Sequence, residues 1–145
     1  SMDRYAQSIK EMIKAKGGKF SILKNIDKGL DIDLLKRTSL IVWDVVGFGF
    51  LECLACGIPT MVLIESYLPI DNGAKDMLYE LEKVGIVHLS VESLVCEINT
   101  YKKDYKKWVF NQRRRSAVNS FSKIYCNTED DWNESLMKII SRLEE

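Results

Sequence analysis

The chain has 145 residues, 46% of them hydrophobic and 29% charged. That is enough apolar material to bury one domain's core without disulfides or metal, and it excludes a long disordered or collagen-like tract. Lys plus Arg and Asp plus Glu each total 21, so no global field favours nucleic acid or an anionic membrane as a partner. No run nears the roughly 20 apolar residues of a membrane span and no basic-then-apolar leader opens the chain, so a cytoplasmic location is expected. The opening Ser1-Met2 reads as the scar of a cleaved tag, and a single domain cut from a longer protein is expected.

Tyr5, Ile9, Met12 and Ile13 recur at helical spacing ahead of Gly17-Gly18, which predicts a helix closed by a glycine cap. Phe20 to Leu23 is a short apolar run read as a strand, and Asp31 to Lys36 reads as a helix with Ile32 and Leu35 inward. Leu40-Ile41-Val42-Trp43 is continuous and β-prone, the pattern of a strand covered on both faces. Gly47 and Gly49 mark a turn, Phe50 to Cys56 a helix ended by Gly57-Ile58-Pro59, and Thr60 to Ile64 a second buried strand.

Strand, tight turn, helix and strand in that order predict a right-handed crossover and a Rossmann-like, doubly wound parallel sheet. A loop follows from Glu65 to Asn72, then a helix with Ala74, Met77, Leu78, Leu81 and Val84 on one face, closed by Gly85. Ile86 to Leu89 is a short strand, and Ser90 is a candidate N-cap for a helix with Val91, Leu94, Val95 and Ile98 inward. That pattern extends through Tyr101, Tyr105 and Trp108, helical spacing continues through Phe110, Val118, Phe121 and Tyr125, and Thr128 caps a last helix carrying Trp132 to Leu143. The C-terminal third is therefore expected to be helical.

The cysteines are Cys53, Cys56, Cys96 and Cys126, of which the first two form a Cys-x-x-Cys pair. Zinc needs two further ligands, yet Cys96 and Cys126 stand apart and the one histidine is His88, so no metal is expected. Cys53 and Cys56 sit on an apolar stretch and read as inert buried thiols.

Parallel α/β sheets bind ligands beyond the carboxyl ends of their strands, where helix N-termini present free N–H groups to anions. The turn Asp44-Val45-Val46-Gly47-Phe48-Gly49 is the candidate of this kind, with Glu52 about one turn into the helix, placed to accept hydrogen bonds from a ribose. The same features also fit a glutamate that only complements a helix dipole. The chain lacks Gly-x-Gly-x-x-Gly and a Walker lysine, so neither a dinucleotide nor an ATP site is supported.

Ser39 to Asp44, then Gly47-Phe-Gly-Phe-Leu-Glu52, then Leu54-Ala-Cys-Gly57-Ile-Pro59-Thr, resembles the donor-binding motif of GT-B glycosyltransferases. Ala74 to Ile86, the Ser90 to Ser93 helix start and the Trp108 and Trp132 regions look like a group of that fold that builds bacterial surface carbohydrate. The resemblance implies that the N–H groups of Gly47, Phe48 and Gly49 meet the diphosphate of a nucleotide-sugar donor while Glu52 binds ribose. Asp44, and in the loop after the second strand Glu65, Tyr67 and Asn72, are further candidate donor contacts.

Two positions depart from the pattern. Val46 and Phe48 stand where hydroxyl or amide side chains often meet phosphate, and Thr60 stands where some retaining enzymes carry a second glutamate. A GT-B enzyme of the hexosyltransferase type also needs an N-terminal acceptor domain, the expected partner, for which too little chain precedes Phe20. No catalytic residue is assigned, no cofactor is expected beyond the nucleotide-diphosphate sugar as donor substrate, and the isolated chain is expected to be inactive. The alternatives are a non-catalytic GT-B-like interaction module and a phosphosugar or nucleotide enzyme of another Rossmann-like class. Outside the turn, His88 reads as structural, Arg113-Arg114-Arg115 with the nearby lysines as a solvated basic face, and Tyr101, Tyr105 and Trp108 as core.

Overall fold

The computed structural model describes residues 7, 11–17, 19, 32–65 and 72–126, in two units, Ser1–Arg37 and Thr38–Glu145. The expected strand at Phe20 to Leu23, Tyr67 and the last helix from Thr128 lie outside the described residues.

In the first unit, residues 11–15 are helical. Lys16 and Gly17 then donate their N–H groups to the carbonyls of Ile13 and Lys14 at 3.2 and 3.0 Å, the glycine-closed end that the spacing predicts. Helix α1 spans Ile32–Arg37, with Leu35 half-buried.

The second unit begins with β1 (Ile41–Trp43), α2 (Phe48–Ala55) and β2 (Thr60–Leu63), and continues through α3 (Asn72–Lys83) and β3 (Val87–His88). Three helices close it: α4 (Val91–Lys103), α5 (Tyr105–Val109) and α6 (Gln112–Tyr125). The strands form a parallel sheet in the order β1-β2-β3, with Ile41 opposite Thr60 and Val62 opposite Val87. Each successive strand adds on the same side of the last. A doubly wound sheet reverses that order at a switch point, and the described strands contain no reversal. What stands is an α/β fold with a small three-stranded parallel sheet and many helices.

Burial separates the strands. The β2 run Thr60-Met61-Val62 is fully buried, whereas in β1 Val42 is exposed between half-buried Ile41 and Trp43. β1 is thus an edge among the described strands, covered less than its unbroken apolar run predicts. The core gathers Phe50 and Leu54 from α2, Met61 and Val62 from β2, Leu78 and Leu81 from α3 and Val87 from β3. Each fully buried side chain of this size contributes about 1.5–3 kcal/mol. Helix α6 packs on both α2 and α3, and α4 packs on β2 and β3.

The C-terminal helices differ from the continuous pattern. Ser90 caps α4 as expected, its hydroxyl accepting from Ser93 N at 3.2 Å. The helix then stops at Asp104, whose carboxylate accepts from Lys107 N at 2.9 Å and starts α5. An aspartate offers the backbone a stronger local bond as a cap than as a helix interior residue, so the apolar period is broken there. The break lets Trp108 fold back on Tyr101, ring centroids 5.3 Å apart and edge to face. Asn111 caps α6 in the same way through Arg114 N at 3.0 Å.

Tyr105 and Phe110 fall at the corners so made and are exposed, as are Val91 and Val95 on α4, four positions that helical spacing alone places inward. Cys56 is also exposed, unlike buried Cys53, because it is the C-cap of α2 and has left the packed face. No described helix is long and apolar enough to cross a membrane.

Candidate functional site

The chain leaves β1 at Asp44 and Val45, both exposed, and Val46 turns back onto the core. Gly47 is the N-cap of α2 in extended backbone, and no side chain caps the helix. The first helical bond runs from Leu51 N to Gly47 O at 3.1 Å. The N–H groups of Phe48, Gly49 and Phe50 therefore precede any intrahelical acceptor. No acidic residue stands in the first turn of α2, so its positive end is not neutralised within that turn. An anion is what such an end attracts.

Glu52 follows in the same helix, exposed, and no ion pair or side-chain hydrogen bond holds it among the described residues. In the register of β1 and β2, Trp43 lies opposite Val62, so Asp44 leaves the sheet level with Leu63. Glu65, exposed, thus projects from the same edge of the sheet. Asn72 opens α3, which returns the chain from that edge to the start of β3. The residues expected to contact a donor are brought to one edge by the parallel topology.

The two glycines of the turn differ. A Cβ on Gly47 would find only Val45 Cγ1 at 3.8 Å, an open position. A Cβ on Gly49 would lie 2.4 Å from Trp43 Cη2, so the indole packed over the helix already demands glycine there. Trp43 Nε1 is buried without an oxygen or nitrogen acceptor among the described residues. Burial raises the pKa of the neighbouring Cys53 thiol, and a weak interaction with Trp43 offsets part of that. Phe48 is 86% and Val45 57% exposed, so the turn presents an apolar rim around its backbone donors.

His88, at the end of β3, is 2% exposed. Its Nε2 lies 3.2 Å from Gly85 O and its Nδ1 2.9 Å from Ser93 Oγ. A carbonyl only accepts, so Nε2 carries the proton and Nδ1 accepts from the serine hydroxyl. Burial, only partly opposed by the Gly85 carbonyl, pulls its pKa below the ordinary value. The ring is neutral and structural.

Arg114 overturns the reading of a wholly solvated arginine run. Arg113 and Arg115 are exposed, but Arg114 donates to Glu97 Oε1 at 2.6 Å, to Val84 O at 2.7 Å and to Trp108 O at 2.7 Å. Its guanidinium also stacks on the Trp108 ring at 3.8 Å. Glu97 accepts from Trp108 Nε1 as well, at 2.5 Å. Burial lowers the Arg114 pKa and the Glu97 carboxylate opposes that. Gly85, at φ +75°, turns the chain beside this carboxylate, and a Cβ there would meet Glu97 Cδ at 2.5 Å. The signal was present in the sequence: Arg114 stands in helical register with Val118, Phe121 and Tyr125.

A family model described as the LIC12162 family transferase matches residues 3–140 of the chain. No curated protein matches it, and no solved structure does.

Proposed function

Because the chain belongs to the LIC12162 family of transferases, we propose that it is the nucleotide-diphosphate-sugar-binding domain of a glycosyltransferase that builds surface polysaccharide or glycoconjugate. The observation that carries this reading is the N-terminus of α2 without a side-chain cap directly after a parallel strand, with Glu52, which has no partner among the described residues, one turn further on. In sugar transfer an acceptor hydroxyl attacks the anomeric carbon and the bond to the diphosphate oxygen breaks. Negative charge then grows on the diphosphate. The N–H groups of residues 47–49 are preorganised donors for that charge, and they need no reorganisation as it develops. Glu52 takes the ribose hydroxyls, while Asp44, Glu65 and Asn72 flank the sugar. An acceptor domain completes the enzyme, so the chain alone transfers nothing, since binding one substrate does not position two.

Calorimetric titration with uridine, cytidine, guanosine and thymidine diphosphates tests the reading. One of them should bind, and Glu52→Gln should weaken it roughly ten-fold or more, the worth of a charge-assisted hydrogen bond. Silence from all four would reject donor binding. A second reading, a GT-B-like interaction module without donor binding, rests on exposed Val45 and Phe48. It predicts that silence.

A further inference from the structure

The chain's zero net charge hides a segregated distribution. Residues 101–126 hold eight Lys and Arg against one acidic residue, Asp104, a local excess of seven. The Asp104 carboxylate is turned into the backbone as the cap of α5. Of the cations, Arg114 is paired internally with Glu97. The other seven are exposed, and no ion pair holds any of them among the described residues.

Their place in the fold is defined. Tyr101 O–H donates to Ser39 O just ahead of β1, and Trp108 and Phe110 share a groove of about 310 Å³ with Pro59, Thr60 and Ile86. Those contacts lie where β1, β2 and β3 begin, so this basic end, the lysines of α4 and α5 with Arg113 and Arg115, occupies the opposite edge of the sheet from the Asp44 to Gly49 turn. Lys123 stands apart from it, near Cys126, whose Sγ lies 3.5 Å from Leu51 O in α2. Two aromatics stand out of it: Tyr105 and Phe110, at the corners bounding α5, are 55% and 67% exposed.

We propose that this end of the domain docks on an anionic lipid bilayer, with the lysines of α4 and α5 against the headgroups and Phe110 in the interfacial layer. Cations set around an aromatic at a protruding corner combine the two contributions that hold a peripheral protein to a membrane, apolar burial and attraction to anionic lipid. Single-stranded nucleic acid asks for another arrangement, aromatics laid along a groove so that successive bases stack on them. Here the most exposed aromatic of the basic end stands at a helix corner, and lysines outnumber the exposed arginines around it. Docking by this edge leaves the α2 turn facing away from the bilayer. The proposal does not depend on what that turn binds.

Co-sedimentation of the whole chain with phosphatidylcholine vesicles, with and without phosphatidylglycerol, tests it at low and high salt. Binding should require the anionic lipid and fade as salt rises, because exposed charges are screened over about 8 Å at physiological strength. Lys106→Gln with Lys107→Gln should weaken partitioning about thirty-fold, from roughly five-fold per cation near the surface. Phe110→Ser should weaken it several-fold with no change in charge, and melting curves should show each variant folded. Lys75→Gln with Lys123→Gln, toward the carboxyl edge of the same sheet, should leave binding unchanged. Equal binding to neutral vesicles, no binding at low salt, or a loss in the control pair as large as in the α5 pair would overturn the proposal. So would preference for a single-stranded RNA over the vesicles together with indifference to Phe110→Ser.

Discussion

The two edges of the small sheet are built on opposite terms. At the carboxyl edge, α2 begins without a cap, Glu52 has no partner among the described residues, and the rim side chains Val45 and Phe48 face solvent. At the amino edge, one guanidinium satisfies two carbonyls and a carboxylate while stacking on an indole, and that carboxylate also holds the indole N–H. Polar groups that have found each other serve the fold. Groups left with spare capacity at a helix end are available to something else. The contrast teaches that an arginine run and a glycine turn cannot be assigned by residue type, since in each the chain divides neighbouring residues between the two uses.

The largest expected effect breaks the satisfied edge. Arg114→Ala leaves Glu97 only the Trp108 N–H and takes the guanidinium from two carbonyls, and should cost about 3 kcal/mol in denaturant unfolding, the low end for one partner of a buried pair. Arg113→Ala and Arg115→Ala should stay within about 0.5 kcal/mol. Equal effects at the three positions would dissolve the distinction between buried and solvated arginines.

Next comes the open edge's hidden structural requirement. Gly49→Ala drives a methyl into the Trp43 ring and should cost about 1–3 kcal/mol, less whatever helix propensity returns. Trp43→Leu, which removes that ring, should erase most of this cost in a double-mutant cycle. A cost that persists in the double variant would place the requirement for glycine elsewhere.

Glu52→Gln sharpens the comparison from the other side. Its melting temperature should match the parent while nucleotide affinity falls. Lowered stability with unchanged affinity would return Glu52 to the role of a helix-end charge, worth about 0.3–1 kcal/mol.

The smallest effect is in pH. The unfolded His88 ring binds its proton near the ordinary value of 6.5, and the folded ring does so only at lower pH, because burial disfavours the charge. Between those two values the unfolded chain takes up the proton and the folded one does not, so stability falls as pH drops below about 6.5 and its His88 contribution is level above it. Unfolding free energies measured across that range should show this slope, and His88→Gln should flatten it.

Much of the fold was legible along the chain. The unbroken apolar runs at Leu40 to Trp43 and Thr60 to Ile64 marked strands, Ser90 marked a cap, and the glycine turn between strand and helix marked the candidate site. These follow from local rules, in which period, cap chemistry and backbone freedom act within a few residues. The site's residue types were equally legible, because a helix N-terminus after a parallel strand is a feature of order along the chain.

What only the tertiary structure decided is which groups were already taken. Sequence placed Arg114 with its neighbours on a solvated face and Phe110 and Val95 inward. Packing put Arg114 over Trp108, turned Phe110 outward at a corner fixed by Asp104 and Asn111, and set the Trp43 ring against Gly49. Burial and pairing depend on residues distant in sequence, as Glu97 is from Arg114 and Ser39 is from Tyr101. A single chain's periodicity therefore carries a face but not the partner that meets it.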